Sequence, residues 1–147
     1  MGLGLPARGV STLAALGAGI AAAGAPGECL AVLDGYRGEV FVALYDAAGE
    51  TLWEPAVMRP EELAKRLDQA SAAPSVGGSG AVRFRHELEG AGGIRIPDDA
   101  DPVHRVAARH VCALAAAGKG SESLEPTYLR PPDAERWRER DSFQRAD

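Results

Sequence analysis

Cys29-Leu30-Ala31-Val32-Leu33-Asp34-Gly35-Tyr36-Arg37-Gly38-Glu39-Val40-Phe41-Val42-Ala43-Leu44-Tyr45 is the stretch that decides the fold. Its first five residues are an unbroken apolar run of strand length, the pattern of a strand covered on both faces. Asp34 to Gly38 is turn chemistry: an Asp that can bond its own backbone, then two glycines. Glu39 to Tyr45 follows as a second strand, with Val40, Val42 and Leu44 on one face and Phe41, Ala43 and Tyr45 on the other. So tight a turn favours antiparallel pairing. Asp46 to Gly49 makes the next turn and Thr51 to Val57 a third strand, which completes a meander.

Upstream, Ala7 to Val10 reads as a short strand. Ser11 and Thr12 offer an N-cap, and Leu13, Leu16 and Ile20 recur at helical spacing through Ala23. This apolar stretch reads as a buried helix rather than a leader, because Pro6 and Gly9 break its approach. It is also too short to span a membrane. Downstream, Pro60 opens a helix at a position where a missing N–H costs nothing. Glu61 and Glu62 suit its positive end, and Leu63 and Leu67 mark its buried side. Ser75 and Val76 end a short strand, and Gly77-Gly78-Ser79-Gly80 follows. Ala81 to Leu88 is expected to be a helix and Ile94 to Ile96 a short strand. Asp101 caps an expected helix from Pro102 to Gly118, with Val103, Val106, Ala107, His110, Val111 and Leu114 on one face. Leu124 to Arg130 is extended. Strands interleaved with helices predict a three-layer α/β domain over residues 1–130, a mixed sheet flanked by helices, with a charged tail at 131–147.

Composition narrows the function. The net charge of −5 argues against a free-standing nucleic-acid binder, since phosphate neutralisation needs clustered Lys and Arg. Contact with RNA through a partner stays open. Cys29 and Cys112 lie in apolar runs and read as two buried thiols in a reducing cytoplasm. His86, His104 and His110 lack metal-ligand spacing, and no Ser-His-Asp or Cys-His set is evident, so neither a catalytic nor a metal residue is assigned. In the tail, Arg136, Arg138, Arg140 and Arg145 with Trp137 and Phe143 could meet RNA or a partner. Glu135, Glu139 and Asp141 cancel much of that field, which favours a solvated tail.

Four segments, in order, resemble the TsaB (YeaZ) family. Gly4 to Leu13, with Val10-Ser11-Thr12-Leu13 at its end, is similar to the strand-into-helix stretch Gly-Val-Ser-Thr/Ser-Leu. Leu30 to Phe41, with Asp34, Arg37, Gly38 and Glu39, resembles the hairpin Asp-Ala-Arg-x-Gly-Glu-Val-Tyr. Val76 to Ala81 falls where the family has Val-Gly-Asp-Gly. Leu124-Glu125-Pro126-Thr127-Tyr128-Leu129-Arg130 is similar to its Glu-Pro-x-Tyr-Leu-Arg ending.

The resemblance implies one lobe of an actin-like (ribonuclease-H-like) ATPase fold, the C-terminal lobe. The family's N-terminal lobe, with its Asp-Thr-Ser turn and Gly-Pro-Gly-Ser-Phe-Thr-Gly segment, is not found in this sequence. It implies a non-catalytic subunit of the bacterial machinery that places threonylcarbamoyl on tRNA adenosine, with TsaD and TsaE as partners, tRNA met only indirectly, no cofactor, and a cytoplasmic location. The old label "glycoprotease" would then not mean proteolysis. In actin-like ATPases the Asp34 hairpin would hold phosphate. Asp34, Gly35, Gly38, Gly77, Gly78 and Gly80 are therefore weak nucleotide candidates, weakened further because Arg37 and Glu39 intrude and no Lys-Ser/Thr follows the glycines. Two rival readings stand beside this one: a residual ATPase or metallopeptidase, and an orphaned lobe that self-associates, for instance as a homodimer.

Overall fold

The computed structural model describes residues 6–130. The tail arginines and aromatics singled out above lie outside the described residues. Helix α1 (Thr12–Ala22) starts where Ser11 caps it, its Oγ accepting the Ala14 N–H at 3.4 Å. Strands β1 (Cys29–Asp34), β2 (Val40–Tyr45) and β3 (Thr51–Met58) form the meander. Helix α2 (Pro60–Asp68) leads to β4 (Ser75–Gly77). Two short helices, α3 (Ser79–Arg83) and α4 (Arg85–Leu88), and a last helix α5 (Ala108–Ala116) complete it.

The sheet order is β3-β2-β1-β4. β1 pairs antiparallel with β2, from Cys29 opposite Tyr45 to Asp34 opposite Val40, and parallel with β4. Such a mixed sheet, with helices on both faces, is the architecture expected. Alternation places Leu30, Val32, Val40, Val42 and Leu44 in one core with Leu63 and Leu67 of α2, Val76, Ala81 and Leu88. Cys29, Ala31, Ala43 and Tyr45 point the other way, into a second core with Leu13, Leu16 and Ile20 of α1. Helix α5 packs on α1. Leu63 and Leu67 are fully buried, each stabilising by about 1.5–3 kcal/mol. Pro55 would break a ladder, but the β2–β3 register slips between Val42 opposite Ala56 and Leu44 opposite Trp53. The proline sits in that bulge, where its missing N–H is tolerated.

Several expectations need correction. The strand at Ala7–Val10 reduces to one bridge, Gly9 to Ser121, with both N–H···O bonds at 2.8 Å. The helix expected over Ala81–Leu88 breaks at Phe84, whose φ of −107° and ψ of 31° leave the helical region. Ile94–Ile96 is not a strand. Its alternation is real, with Ile94 and Ile96 buried and Arg95 exposed, yet side chains replace a strand partner. The Glu89 carboxylate accepts the Ile96 N–H at 3.2 Å, and Arg85 donates to Ile96 O at 2.8 Å. The single helix expected from Pro102 is a 3-10 turn, Pro102–His104, capped as foreseen by Asp101, then extended backbone, then α5. Val106 is exposed and Val103 packs against the α1 core instead. Cys29 is buried, but Cys112 is exposed on α5.

Candidate functional site

The turn between β1 and β2 is built around Asp34. Its Oδ1 accepts the Tyr36 N–H at 2.9 Å, and Gly35 N–H bonds Glu39 O at 2.9 Å. Three successive residues then take left-handed backbone: Tyr36 (φ 57°), Arg37 (φ 56°) and Gly38 (φ 77°). Only the last is a glycine, so Tyr36 and Arg37 hold a conformation that L-residues avoid. Two arginines distant in sequence grip the stem. Arg83 of α3 donates to Asp34 Oδ2 at 2.6 Å. Arg130 donates to Gly35 O at 2.8 Å, pairs with the Glu39 carboxylate and lies over the Phe41 ring.

The glycine turn meets the same end of β1. Ser79 Oγ accepts the Asp34 N–H at 3.1 Å. Gly78 has φ 117°, and a Cβ there would stand 2.1 Å from Val32 O. A Cβ at Gly77 would meet Val103 O at 2.5 Å, and one at Gly80 would meet Leu33 C at 2.8 Å. Gly78 and Gly80 therefore let the turn lie against the β1 backbone, and Gly77 lets it lie against Val103. The Gly78 N–H is donated to His104 Nδ1 at 3.2 Å, while His104 Nε2 faces Pro97 O at 3.3 Å. Those partners fix His104 as the Nε2–H tautomer.

The fold thus gathers Asp34, Gly35, Gly38, Glu39, Gly77, Gly78, Gly80 and Arg130 at one end of the sheet. Leu129 packs on the α1 core beside them, and Tyr128 is 81% exposed. Ser11 caps α1 and shares a hydrogen bond with Tyr45, at the far end of β2. Thr12, Glu125 and Pro126 are exposed and join neither group. Arg83 and His104 are partners that the sequence reading missed, and no spacing signals them. Chemically, the turn is closed on itself: both Asp34 oxygens and the Glu39 carboxylate are occupied by protein donors. Among the described residues, no group of three His, Cys, Asp or Glu side chains could hold a metal ion. A cavity of about 270 Å³ lies elsewhere, at the Tyr45 end of the sheet, between α1, the β2–β3 turn and α5. Among the described residues no helix is long and apolar enough to cross a membrane.

No family profile matches this sequence, and no curated protein matches it. Solved structures do. One is an uncharacterized Pseudomonas aeruginosa protein with similarity to peptidase YeaZ, at 26% identity and a TM-score of 0.59. Another is YeaZ from Pseudomonas aeruginosa, at 25% identity and a TM-score of 0.56. The chain is TsaB (YeaZ)-like. The match covers 82% of this chain and 57% of each of those chains. The TsaB-like chain therefore spans well under two thirds of their length. Within it, the hairpin and ending that carried the resemblance meet in space, through Glu39 and Arg130.

Proposed function

We propose that this TsaB-like chain is a non-catalytic subunit of the machinery that places threonylcarbamoyl on tRNA adenosine, acting as scaffold and activator of TsaD, with TsaE as a further partner and tRNA met only through them. The observation that carries this reading is the occupancy of the motif residues. Asp34 is held by Arg83 and the Tyr36 N–H, while Glu39 and Arg130 pair with each other. General acid–base work needs a group within reach of substrate, and these groups are held by protein partners. Cys112, two residues from His110 in sequence, is exposed on α5. A turn whose carboxylates are already held by protein donors suits docking better than bond-making.

The test is a pull-down with TsaD of the source organism. The chain is offered alone and together with a polypeptide equivalent to the remainder of YeaZ. The expected result is weak or no capture by the chain alone and clear capture once the remainder is supplied. Absence of TsaD in both arms refutes the reading. The family resemblance implies that the TsaD contact lies mainly in the N-terminal lobe, and tight capture by the chain alone would refute that part of the reading. Saturable ATP binding at micromolar concentration would favour the enzyme class instead.

A further inference from the structure

Helix α5 is 9 residues long and lacks the supports that so short a helix usually has. Its N-cap, Ala107, has no side-chain acceptor for the first N–H groups, and its first turn holds no acid to complement the positive end of the dipole. Isolated helices below about 12–15 residues are marginal in water, so α5 persists through its packing on α1. That packing turns on one residue. His110 is the buried side chain of α5, while Val111, Leu114 and Ala115 are half-buried and the others exposed. Its ring lies against α1, where a Cβ on Gly19 would stand 3.4 Å from Cδ2 and 3.5 Å from Nε2. Nε2 is buried with no hydrogen-bond partner.

We propose that His110 is a proton-operated catch: taking up a proton on this ring frees α5 from α1. The surroundings give the reason. From Thr12 to Ala22, α1 has no ionisable side chain, so it offers a charged ring nothing to pair with. On its own helix His110 lies in the first turn, where the dipole opposes a cation, and Arg109 beside it adds a second positive charge. From Pro102 to Ser121 the chain carries no Asp or Glu, and its other charges are Arg105 and Lys119. His104 is committed to Gly78 N–H and Pro97 O. Two acids border the cavity at Leu114, one turn further along α5. Asp46 Oδ1 accepts the Ala48 and Glu50 N–H groups, and Glu50 is paired with Lys119. A charge on the buried ring would thus stand unpaired among the described residues, a costly state for any side chain. Histidine is the side chain whose ordinary titration falls between about pH 5 and 8. The hold is present while the ring is uncharged and is lost as pH falls. Release melts α5, which cannot stand alone, uncovers Gly19 on α1 and takes Leu114 out of the cavity wall. The catch is complete within α1 and residues 102–121, and its ligand is the proton.

The test is amide hydrogen exchange on the full chain at about pH 7.5 and about pH 5, either side of the imidazole range. Each rate is divided by that of an unstructured peptide at the same pH. The wild type is compared with H110L and H110Q, neither of which can titrate at this position. In the wild type the amides from Cys112 to Ala116 should open about tenfold more often at the lower pH. The β1 amides from Leu30 to Val32 should not change. H110L and H110Q should show no acid-specific rise in α5, and H110Q serves should H110L fail to fold. G19D sets a carboxylate beside the ring and should keep α5 closed at both pH values. No rise in the wild type overturns the proposal, as does an equal rise in H110L and H110Q. An equal rise at Leu30 to Val32 also overturns it, since the whole sheet would then be opening, and so does a rise in G19D as large as in the wild type.

Discussion

Replacing Gly78 by Ala puts a methyl group where the structure has none to spare. Its φ of 117° and ψ of 162° lie in a region that is essentially glycine's own, and an L-residue held there costs about 1–3 kcal/mol. The new Cβ would stand 2.1 Å from Val32 O and 2.7 Å from Leu16 Cδ2. Val32 belongs to a strand paired on both sides, so its carbonyl cannot step back without disturbing two ladders. Overpacking of this kind costs about 1–3 kcal/mol more. The sum, about 4 kcal/mol, is a large part of the roughly 5–15 kcal/mol that holds a domain together. Gly38→Ala is the matched control: its φ is 77°, but no atom lies within 4 Å of the added Cβ. It should lose only the backbone term, about 1–2 kcal/mol. Urea unfolding of both variants separates the terms. With a slope of about 2 kcal/mol per molar urea, G78A should unfold about 2 M earlier than wild type and G38A less than 1 M earlier. Equal losses in the two variants would show that the close approach of the glycine turn to β1 is not what the position requires.

Two further outcomes follow from buried groups. His110 is buried between α1 and α5 with Nε2 lacking a partner. H110L should therefore raise stability at neutral pH by about 1 kcal/mol, since an unsatisfied buried polar group costs about 1–3 kcal/mol; a loss of more than 1 kcal/mol in urea unfolding would refute this. Burial pushes the Cys29 thiol above its ordinary value of 9.0 and the Tyr45 phenol above 10.0, the latter against an opposing hydrogen bond from Ser11. The unfolded chain thus gives up these protons first as pH rises, so stability should fall above about pH 9. The C29A/Y45F variant should show a shallower alkaline decline than wild type, and an equal slope would refute the assignment. In the same preparation a maleimide should label Cys112 in the native protein and Cys29 only after unfolding.

Much of the fold was legible because local rules and global packing agree there. The unbroken run at Cys29, the alternation from Val40 to Tyr45, the Ser11 cap and Pro60 at a helix start each carry their own physical signal. The misreadings arise where long-range partners override a local pattern. Val103, Val106 and Ala107 have helical spacing, yet His104 bonds the Gly78 N–H and faces Pro97 O, which holds a tight turn there in place of a long helix. Ile94 and Ile96 alternate like a strand, but Arg85 and Glu89 satisfy their backbone instead of a neighbouring strand. Cys112 sits among apolar neighbours in sequence, but helical spacing puts it on the side of α5 opposite the face shared by His110 and Leu114, a signal that its reading as buried passes over. For the candidate site, the motif residues were visible one by one. Their convergence was not, because Glu39 and Arg130 are joined only by the folded path between them, as are Asp34 and Arg83.

The tie between Gly9 and Ser121 bears on how the protein folds. Arg8 reaches Gly120 O across 112 residues of chain at the same place. Closing so large a loop gains only a few bonds, so the entropy lost must be recovered from contacts already made. The meander, whose strands are neighbours in sequence, can nucleate without it. The segment from Gly120 onward should therefore be the final piece to arrive during refolding and the earliest to fray on heating, while β1 and β2 remain paired.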